Sequence, residues 1–166
     1  MDLNRLEGVF YKGKGSMRLN WEEVKAKIEK WVKEEKLSAN EVLDVNAFFN
    51  FAITVGANRV LNVLQNREKK DSILIGTNVL FGEKEKDSFR SKTRIERMET
   101  LSRLRFTLAS IDVSFYIDME NNEIPKSVRI QHPIYYDALT KDRFMHGVFT
   151  VLKALELCSW VVVESL

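Results

Sequence analysis

The sequence predicts an α+β domain in which an antiparallel five-stranded sheet carries helices on one face, in the chain order α-β-β-β-α-β-β-α. Three observations lead to this prediction. Residues 45–81 hold three extended runs separated by short breaks. Two more extended runs lie within residues 113–134. The stretches before, between and after these runs repeat apolar residues at helical spacing.

The composition fits one soluble globular domain. Of the 166 residues, 45% are hydrophobic and 30% are charged, which is an ordinary globular balance. The 26 basic and 24 acidic residues leave a net charge of +2, so no general attraction to nucleic acid or membranes is expected. With one cysteine no internal disulfide can form. Neither a signal peptide nor a membrane-spanning run is recognised, and we expect a cytoplasmic protein without a cofactor.

Residues 1–18 are predicted to be a flexible N-terminal arm, and residues 19–166 to be the folded domain. Within the arm, residues 8–14 match the first part of a phosphate-binding loop. The match fails at Gly15, which stands where the Mg²⁺-binding Ser or Thr should be. No strong strand precedes the segment and no helix directly follows it, so a nucleotide-binding loop is not predicted.

The first hairpin has a register that its apolar pattern indicates. Between residues 45 and 55 every second side chain is apolar, so one face of this strand is expected to be buried. A three-residue loop at residues 56–58 would pair Ile53 with Leu61 and keep apolar residues together. A two-residue loop would put Asn62 opposite Ile53 on the buried face. The three-residue loop is therefore predicted.

Three helices are predicted to cover the sheet. The first begins after Asn20, a good N-cap; the second is a long helix over residues 83–110; the third begins after Thr140. The apolar stripe of the third helix contains Phe144, Val148, Val151, Leu152, Leu155 and Cys158. At roughly 2 kcal/mol per large buried side chain, this stripe contributes on the order of 10 kcal/mol before chain entropy is deducted. The apolar run Trp160, Val161, Val162 and Val163 is expected to pack on the domain or on a second copy.

The sequence contains no recognised catalytic or metal-binding arrangement. His132 lies in a predicted strand, His146 lies off the apolar stripe of the last helix, and nothing pairs the two. Cys158 lies on that stripe, where a thiol behaves as a small hydrophobe. One cysteine and two histidines provide no zinc-ligand spacing. An enzyme is therefore disfavoured, and no catalytic, cofactor or metal residues are predicted.

The order helix, three strands, long helix, two strands and helix, across residues 20–166, resembles the type III secretion chaperone-like fold. It resembles more closely an uncharacterised archaeal family that shares this architecture. The resemblance implies an α+β domain that is often a homodimer and binds a polypeptide partner. Because it rests on element order and not on a motif, it carries over no functional residues.

The leading functional hypothesis is a homodimer or a polypeptide-binding, chaperone-like module that uses the sheet face opposite the helices. The apolar residues expected to gather on that face are Phe48, Val60, Leu64, Leu74 and Leu80. Contiguous apolar patches of this kind usually mark interaction sites.

Two other hypotheses remain open. The first is a binder of a phosphate ligand or nucleic acid that uses the basic helix between Arg90 and Arg105, with phosphates held by Arg90, Arg94 and Arg97. A solvated helix face with local ion pairs would give the same pattern. The second is an enzyme without a recognised motif, which would need a concave pocket with convergent ionisable groups.

Overall fold

A computed structural model of the chain describes residues 20–56, 59–121 and 123–164, so the arm predicted at residues 1–18 lies outside the described residues. The helices in this range are α1 (Trp21–Glu34), α2 (Glu83–Ser91), α3 (Arg94–Ala109) and α4 (Lys141–Val163). The strands are β1 (Ser38–Glu41), β2 (Ala47–Val55), β3 (Arg59–Asn66), β4 (Ser72–Leu80), β5 (Ser114–Glu120) and β6 (Ile124–Tyr135). A 3₁₀ turn, Tyr136–Ala138, joins β6 to α4.

The described strands form one six-stranded antiparallel sheet in the order β1-β2-β3-β4-β6-β5. The α+β class is confirmed, but the expected count of five strands is wrong because β1 was not predicted. All residues of β1 are exposed, and the strand pairs along one side with β2. Its sequence, Ser-Ala-Asn-Glu, lacks the apolar alternation by which a strand is recognised.

The register predicted for the β2–β3 hairpin is confirmed. Ile53 lies opposite Leu61 and Val55 opposite Arg59, as a three-residue connection requires. The strand begins two residues later than the predicted apolar run, at Ala47, and Val45 is exposed. A β-bulge interrupts the register between Ala47 and Phe49, and this bulge determines on which side of the sheet Phe48 lies.

The single long helix predicted over residues 83–110 is wrong, because the chain breaks into α2 and α3 at Lys92 and Thr93. Thr93 forms a capping box with Glu96. The Thr93 backbone N–H donates to Glu96 Oε2 at 2.8 Å, and the Glu96 N–H donates to Thr93 Oγ1 at 3.3 Å. These reciprocal bonds satisfy donors that a helix start leaves unpaired.

We expect Thr93→Ala to lower the free energy of unfolding by about 1 kcal/mol, because it removes the side-chain acceptor at the start of α3. Urea denaturation followed by circular dichroism measures the change. Thr107→Ala, inside the same helix, is the matched control and should be close to neutral because alanine has the higher helix propensity. Equal losses for the two variants would contradict a capping role for Thr93.

The core lies between one face of the sheet and helices α1, α3 and α4. The buried sheet residues are Phe49, Phe51, Ile53, Val55, Leu61, Val63, Ile73, Ile75, Val128, Ile130 and Ile134. The helices contribute Val24, Ile28, Val32, Leu104, Leu108, Phe144, Val148, Val151, Ala154, Leu155, Cys158 and Val161. The predicted apolar stripe of α4 is therefore confirmed, with Leu152 half-buried beside it.

Helix α4 is long and apolar enough, by length and composition, to cross a membrane, and 39% of the apolar window is buried within the domain. A core helix of a soluble protein passes the same test, so this is weak evidence for a membrane span. At its end Val161 is buried in the core, whereas Trp160 and Val163 are exposed, so only part of the apolar run 160–163 packs on the domain. Packing of Trp160 on a second copy stays a prediction.

Candidate interaction surface

The sheet face that points away from α1, α3 and α4, here called the helix-free face, is built by the residues that alternate with the core positions. On β2, β3 and β4 these residues are Asn50, Ala52, Thr54, Val60, Asn62, Leu64, Ser72, Leu74, Gly76, Asn78 and Leu80. None of them is charged, although 30% of the chain is. An exposed sheet face is normally polar and charged, so the three central strands depart from the composition expected of a solvated surface.

An apolar row crosses this face from strand to strand. Leu64 on β3 lies opposite Leu74 on β4, and Leu74 lies opposite Pro133 on β6. Pairing of β6 with β5 extends only to Gln131, so within the described residues Pro133 has no strand partner on that side, a position that suits a residue without an N–H. Both leucines are half-buried. The neighbouring side chains of the same chain therefore leave part of Leu64 and Leu74 accessible to a partner.

Amide and glycine residues surround the apolar row. Gly76 lies opposite Asn62 on one side and Gln131 on the other. A Cβ atom at Gly76 would lie 2.9 Å from the backbone oxygen of Ile130, too close for a fixed backbone atom to accommodate. The absence of a side chain there keeps the middle of the face flat, with hydrogen-bonding amides beside it. Such a surface can pack against another protein without burying an unpaired charge.

The charged residues of the face lie on the β5–β6 side. Arg129 on β6 lies between Asn78 on β4 and Tyr116 on β5. Asp118 of β5 lies 3.8 Å from the ammonium group of Lys126. The charged fringe and the uncharged centre together have the arrangement of an interface core with a polar rim.

The predicted candidate residues of this face are only partly brought together. Leu64 and Leu74 are adjacent, whereas Val60 and Leu80 are exposed nearer the opposite end of their strands. Phe48 is not on the face. Its ring stacks on Trp21 of α1, with centroids 5.6 Å apart and planes 12° apart, and the bulge between Ala47 and Phe49 is what breaks the alternation that had placed it there.

The arginines proposed for anion binding do not form one open cluster. Arg90 is on α2 and faces three carboxylates, with its guanidinium 2.7 Å from Asp87, 3.6 Å from Glu83 and 3.7 Å from Glu120. The hydrogen bond to Asp87 is the main reason that the pKa of Arg90 is raised. A guanidinium surrounded by these carboxylates is a poor site for a phosphate.

Arg97 on α3 is also engaged. Its Nη1 donates to the backbone oxygen of Lys92 at 2.9 Å, and its Nη2 lies 3.3 Å from Glu123. With Arg94 and Met98, it lines a cavity of about 340 Å³. Among the described residues, Arg94 makes no ion pair. Of the three arginines predicted to hold phosphates, only Arg94 therefore has an open guanidinium within the described residues, and anion binding there stays a prediction.

His132 and Cys158, which were not predicted to be catalytic, each have a defined environment in the structure. His132 Nδ1 lies 2.7 Å from the backbone oxygen of Asp112. Cys158 is fully buried, and burial raises the pKa of its thiol to about 11. In the described ranges no group of three or more His, Cys, Asp and Glu side chains is placed to hold a metal ion.

We expect Cys158 to resist alkylation by iodoacetamide at pH 8 in the folded protein and to react after unfolding. Because its pKa is raised from 9.0 to about 11, the neutral thiol stabilises the fold below pH 9. This contribution, on the order of 2 kcal/mol, is lost as the pH rises from 9 to 11, since the unfolded chain ionises first. Urea denaturation across this range should show a smaller pH dependence for Cys158→Ala; an identical slope would contradict the assignment.

A second set of exposed apolar residues lies on the helices, and only its members at the end of α4 were singled out from the sequence. Phe106 of α3 is 77% exposed, and on α4 Phe149, Trp160 and Val163 are also exposed. Phe149 directly follows a core position of α4, so its place off the apolar stripe could have been read from the helical period. These residues, here called the helix-layer patch, are the alternative to the helix-free face as a surface for self-association.

A protein-family model described as an uncharacterized conserved protein (DUF2299) matches residues 24–162. A crystal structure of an uncharacterized protein from Methanothermobacter thermautotrophicus is 28% identical, with a TM-score of 0.79, and the match covers 84% of this chain and 96% of that one. The structure of YbjN from E. coli is 13% identical, with a TM-score of 0.45 and coverage of 83% and 87%. No protein with a curated description matches the chain.

Proposed function

We propose that this chain, which belongs to the uncharacterized conserved protein family DUF2299, is a non-enzymatic polypeptide-binding module that acts as a homodimer. In this proposal the helix-free face is the surface on which two copies meet. The chaperone-like role and the cytoplasmic location expected from the sequence belong to the same proposal.

The observation that carries the proposal is the lack of charged residues on the helix-free face of β2, β3 and β4. Replacing solvent by a second protein surface is unfavourable for charged groups that lose their hydration without gaining a partner. Apolar side chains and amides can be buried with less penalty when the amides find hydrogen-bond partners. The Leu64–Leu74–Pro133 row and the amides beside it are suited to this burial.

Self-association through this face also accounts for the exposure of the apolar side chains of Val60 and Leu80 in a single chain. Leu80 is 72% exposed at the end of β4 and Val60 is 48% exposed at the start of β3. Single exposed apolar residues are common on soluble proteins. Here, however, they extend the uncharged part of the face, and contiguous surfaces of that kind are typical of protein interfaces.

Sedimentation equilibrium of the native chain tests the dimer. We expect a mass of two chains of 19.3 kDa each, with dissociation on dilution that follows mass action. Leu74→Glu should shift this equilibrium to the monomer, because a carboxylate in the middle of the interface would lose its hydration. A single-chain mass at every concentration would overturn the homodimer.

A further inference from the structure

Strand β1 forms one edge of the sheet, and its outer side is unpaired in the part of the chain that the structure describes. Val42 continues the pairing by donating its N–H to the backbone oxygen of Asn50 at 2.8 Å. Because successive residues of a strand point their backbone groups to opposite sides, Ser38 and Asn40 also face β2. The N–H and C=O groups of Ala39 and Glu41 consequently point away from the sheet.

The side chains of the same two residues line a groove between β1 and helix α1. Ala39 lies opposite Ile53 and Glu41 opposite Phe51, both core positions of β2, so these side chains point to the helix side of the sheet. The groove has a volume of about 340 Å³ and is lined by Glu29, Val32, Lys33, Leu37, Ala39, Glu41 and Phe51. The short strand β1 therefore presents outward backbone groups and also forms one wall of the groove.

The walls of the groove are apolar within and charged at the rim. Val32 and Phe51 are buried, with Leu37 half-buried beside them. Glu41 is held by Lys25 at 2.7 Å, and the Lys25 ammonium also lies 5.7 Å from the centre of the Phe51 ring. The carboxylate of Glu41 thus points toward α1. Its charge does not lie at the outer edge of β1, where it would disfavour pairing with another strand.

The two edges of the sheet differ in protection. Edge strands are normally blunted by bulges or charges that disfavour pairing with another chain. At the far edge, β5 has a bulge between Asp118 and Met119 and ends at Glu120. Beside β1, in contrast, the chain continues into an exposed apolar segment in which Leu43 is 97% exposed and Val45 is 80% exposed. The β1 edge is the one left open to another strand.

We propose that the β1 edge and the α1–β1 groove bind an extended polypeptide segment, which adds to the sheet as a further strand and inserts an apolar side chain over Val32 and Phe51. A row of backbone groups in strand geometry with no protein partner is a template for another backbone in strand geometry. The groove selects for an apolar side chain at alternate positions. Glu29 and Lys33 line the groove and make no ion pair with any residue that the structure describes, so they favour a basic residue and an acidic residue, respectively, in the flanking positions of the bound segment.

This inference rests on the proposed polypeptide-binding function, but it does not require the homodimer. The β1 edge lies at the side of the sheet, whereas the proposed self-interface is centred on β3 and β4. Both surfaces can therefore be occupied in one molecule. The peptide test is accordingly run on the native chain and on Leu80→Glu, so that failure of the dimer and failure of the peptide site are separately visible.

The test is a selection from a displayed library of random dodecapeptides on the immobilised full-length chain, followed by fluorescence anisotropy with the strongest binder. We expect sequences with alternating apolar residues. Binding to Ala39→Pro should be about tenfold weaker, because proline removes the outward N–H at that position while the bonds to β2 remain. Ala39→Lys, which keeps the backbone and fills the groove, should weaken binding similarly if Ala39→Pro proves misfolded.

Two controls make the result specific. Asn40→Ala changes the same strand but faces the other side of the sheet, and it should bind the peptide as the native chain does. Methylating the peptide amides at one set of alternate positions should abolish binding, and methylating the other set should not, because only one set faces β1. Absence of any binder that is sensitive to both Ala39→Pro and amide methylation overturns the proposal, as does equal loss with Asn40→Ala.

Discussion

Replacing Phe144 by alanine is expected to lower the free energy of unfolding by about 4 kcal/mol. Phe144 is fully buried in α4. Its ring lies 5.8 Å from the ring of Trp31 on α1, measured between centroids, with the planes tilted by 35°. The substitution therefore removes both core volume and the aromatic contact between α1 and α4, two of the helices that cover the sheet.

Phe149→Ala is the matched control for this prediction. Phe149 is on the same helix, but it is exposed, so its truncation should change stability by less than about 0.5 kcal/mol. Urea denaturation at a protein concentration that keeps the chain monomeric measures both changes. A similar loss for the two variants would mean that α4 is not packed as the structure has it.

Gly147→Leu is expected to destabilise the fold by on the order of 3 kcal/mol through overpacking. A Cβ atom at Gly147 would lie 2.9 Å from Ile75 Cδ1, 3.0 Å from His132 Cδ2 and 3.2 Å from Ile134 Cδ1. These contacts show that α4 rests directly on β4 and β6 at this point. The higher helix propensity of leucine, worth about 1 kcal/mol over glycine, offsets only part of the strain from three further side-chain atoms.

The control for Gly147→Leu is His146→Leu, at the preceding and exposed position of the helix. It introduces the same side chain without contact to the sheet, and its stability should be close to that of the native chain. Thermal unfolding followed by circular dichroism compares the two. If Gly147→Leu unfolds at the native temperature, α4 does not approach the sheet as closely as described.

The features that the sequence predicted correctly are those with a strong hydrophobic period. The pairing of Ile53 with Leu61 follows from alternation along two adjacent strands, and a shifted register would have buried Asn62. The strand β1 could not be found in this way, because a short exposed edge strand has no buried face. The break before α3 did leave a signal, since Thr93 and Glu96 have the spacing of a capping box.

For the candidate site, local pattern was sufficient for Leu64 and Leu74 but not for Phe48. The predicted position of Phe48 is wrong because a bulge changes which way the side chain points, and the apolar pattern gives no sign of the bulge. The three arginines are not brought together into one open cluster, for a different reason. Arg90 is neutralised partly by Glu120, which is distant in the sequence, so only the fold reveals the contact.

The central claim, that two copies meet through the helix-free face, is tested most directly by the solution masses of Leu80→Glu and Phe106→Glu, measured by light scattering after size exclusion. The two side chains are similarly exposed, at 72% and 77%, and they lie on the helix-free face and on the helix layer. We predict a folded monomer for Leu80→Glu and a dimer for Phe106→Glu. A dimer for Leu80→Glu together with a monomer for Phe106→Glu would contradict the claim and assign self-association to the helix layer.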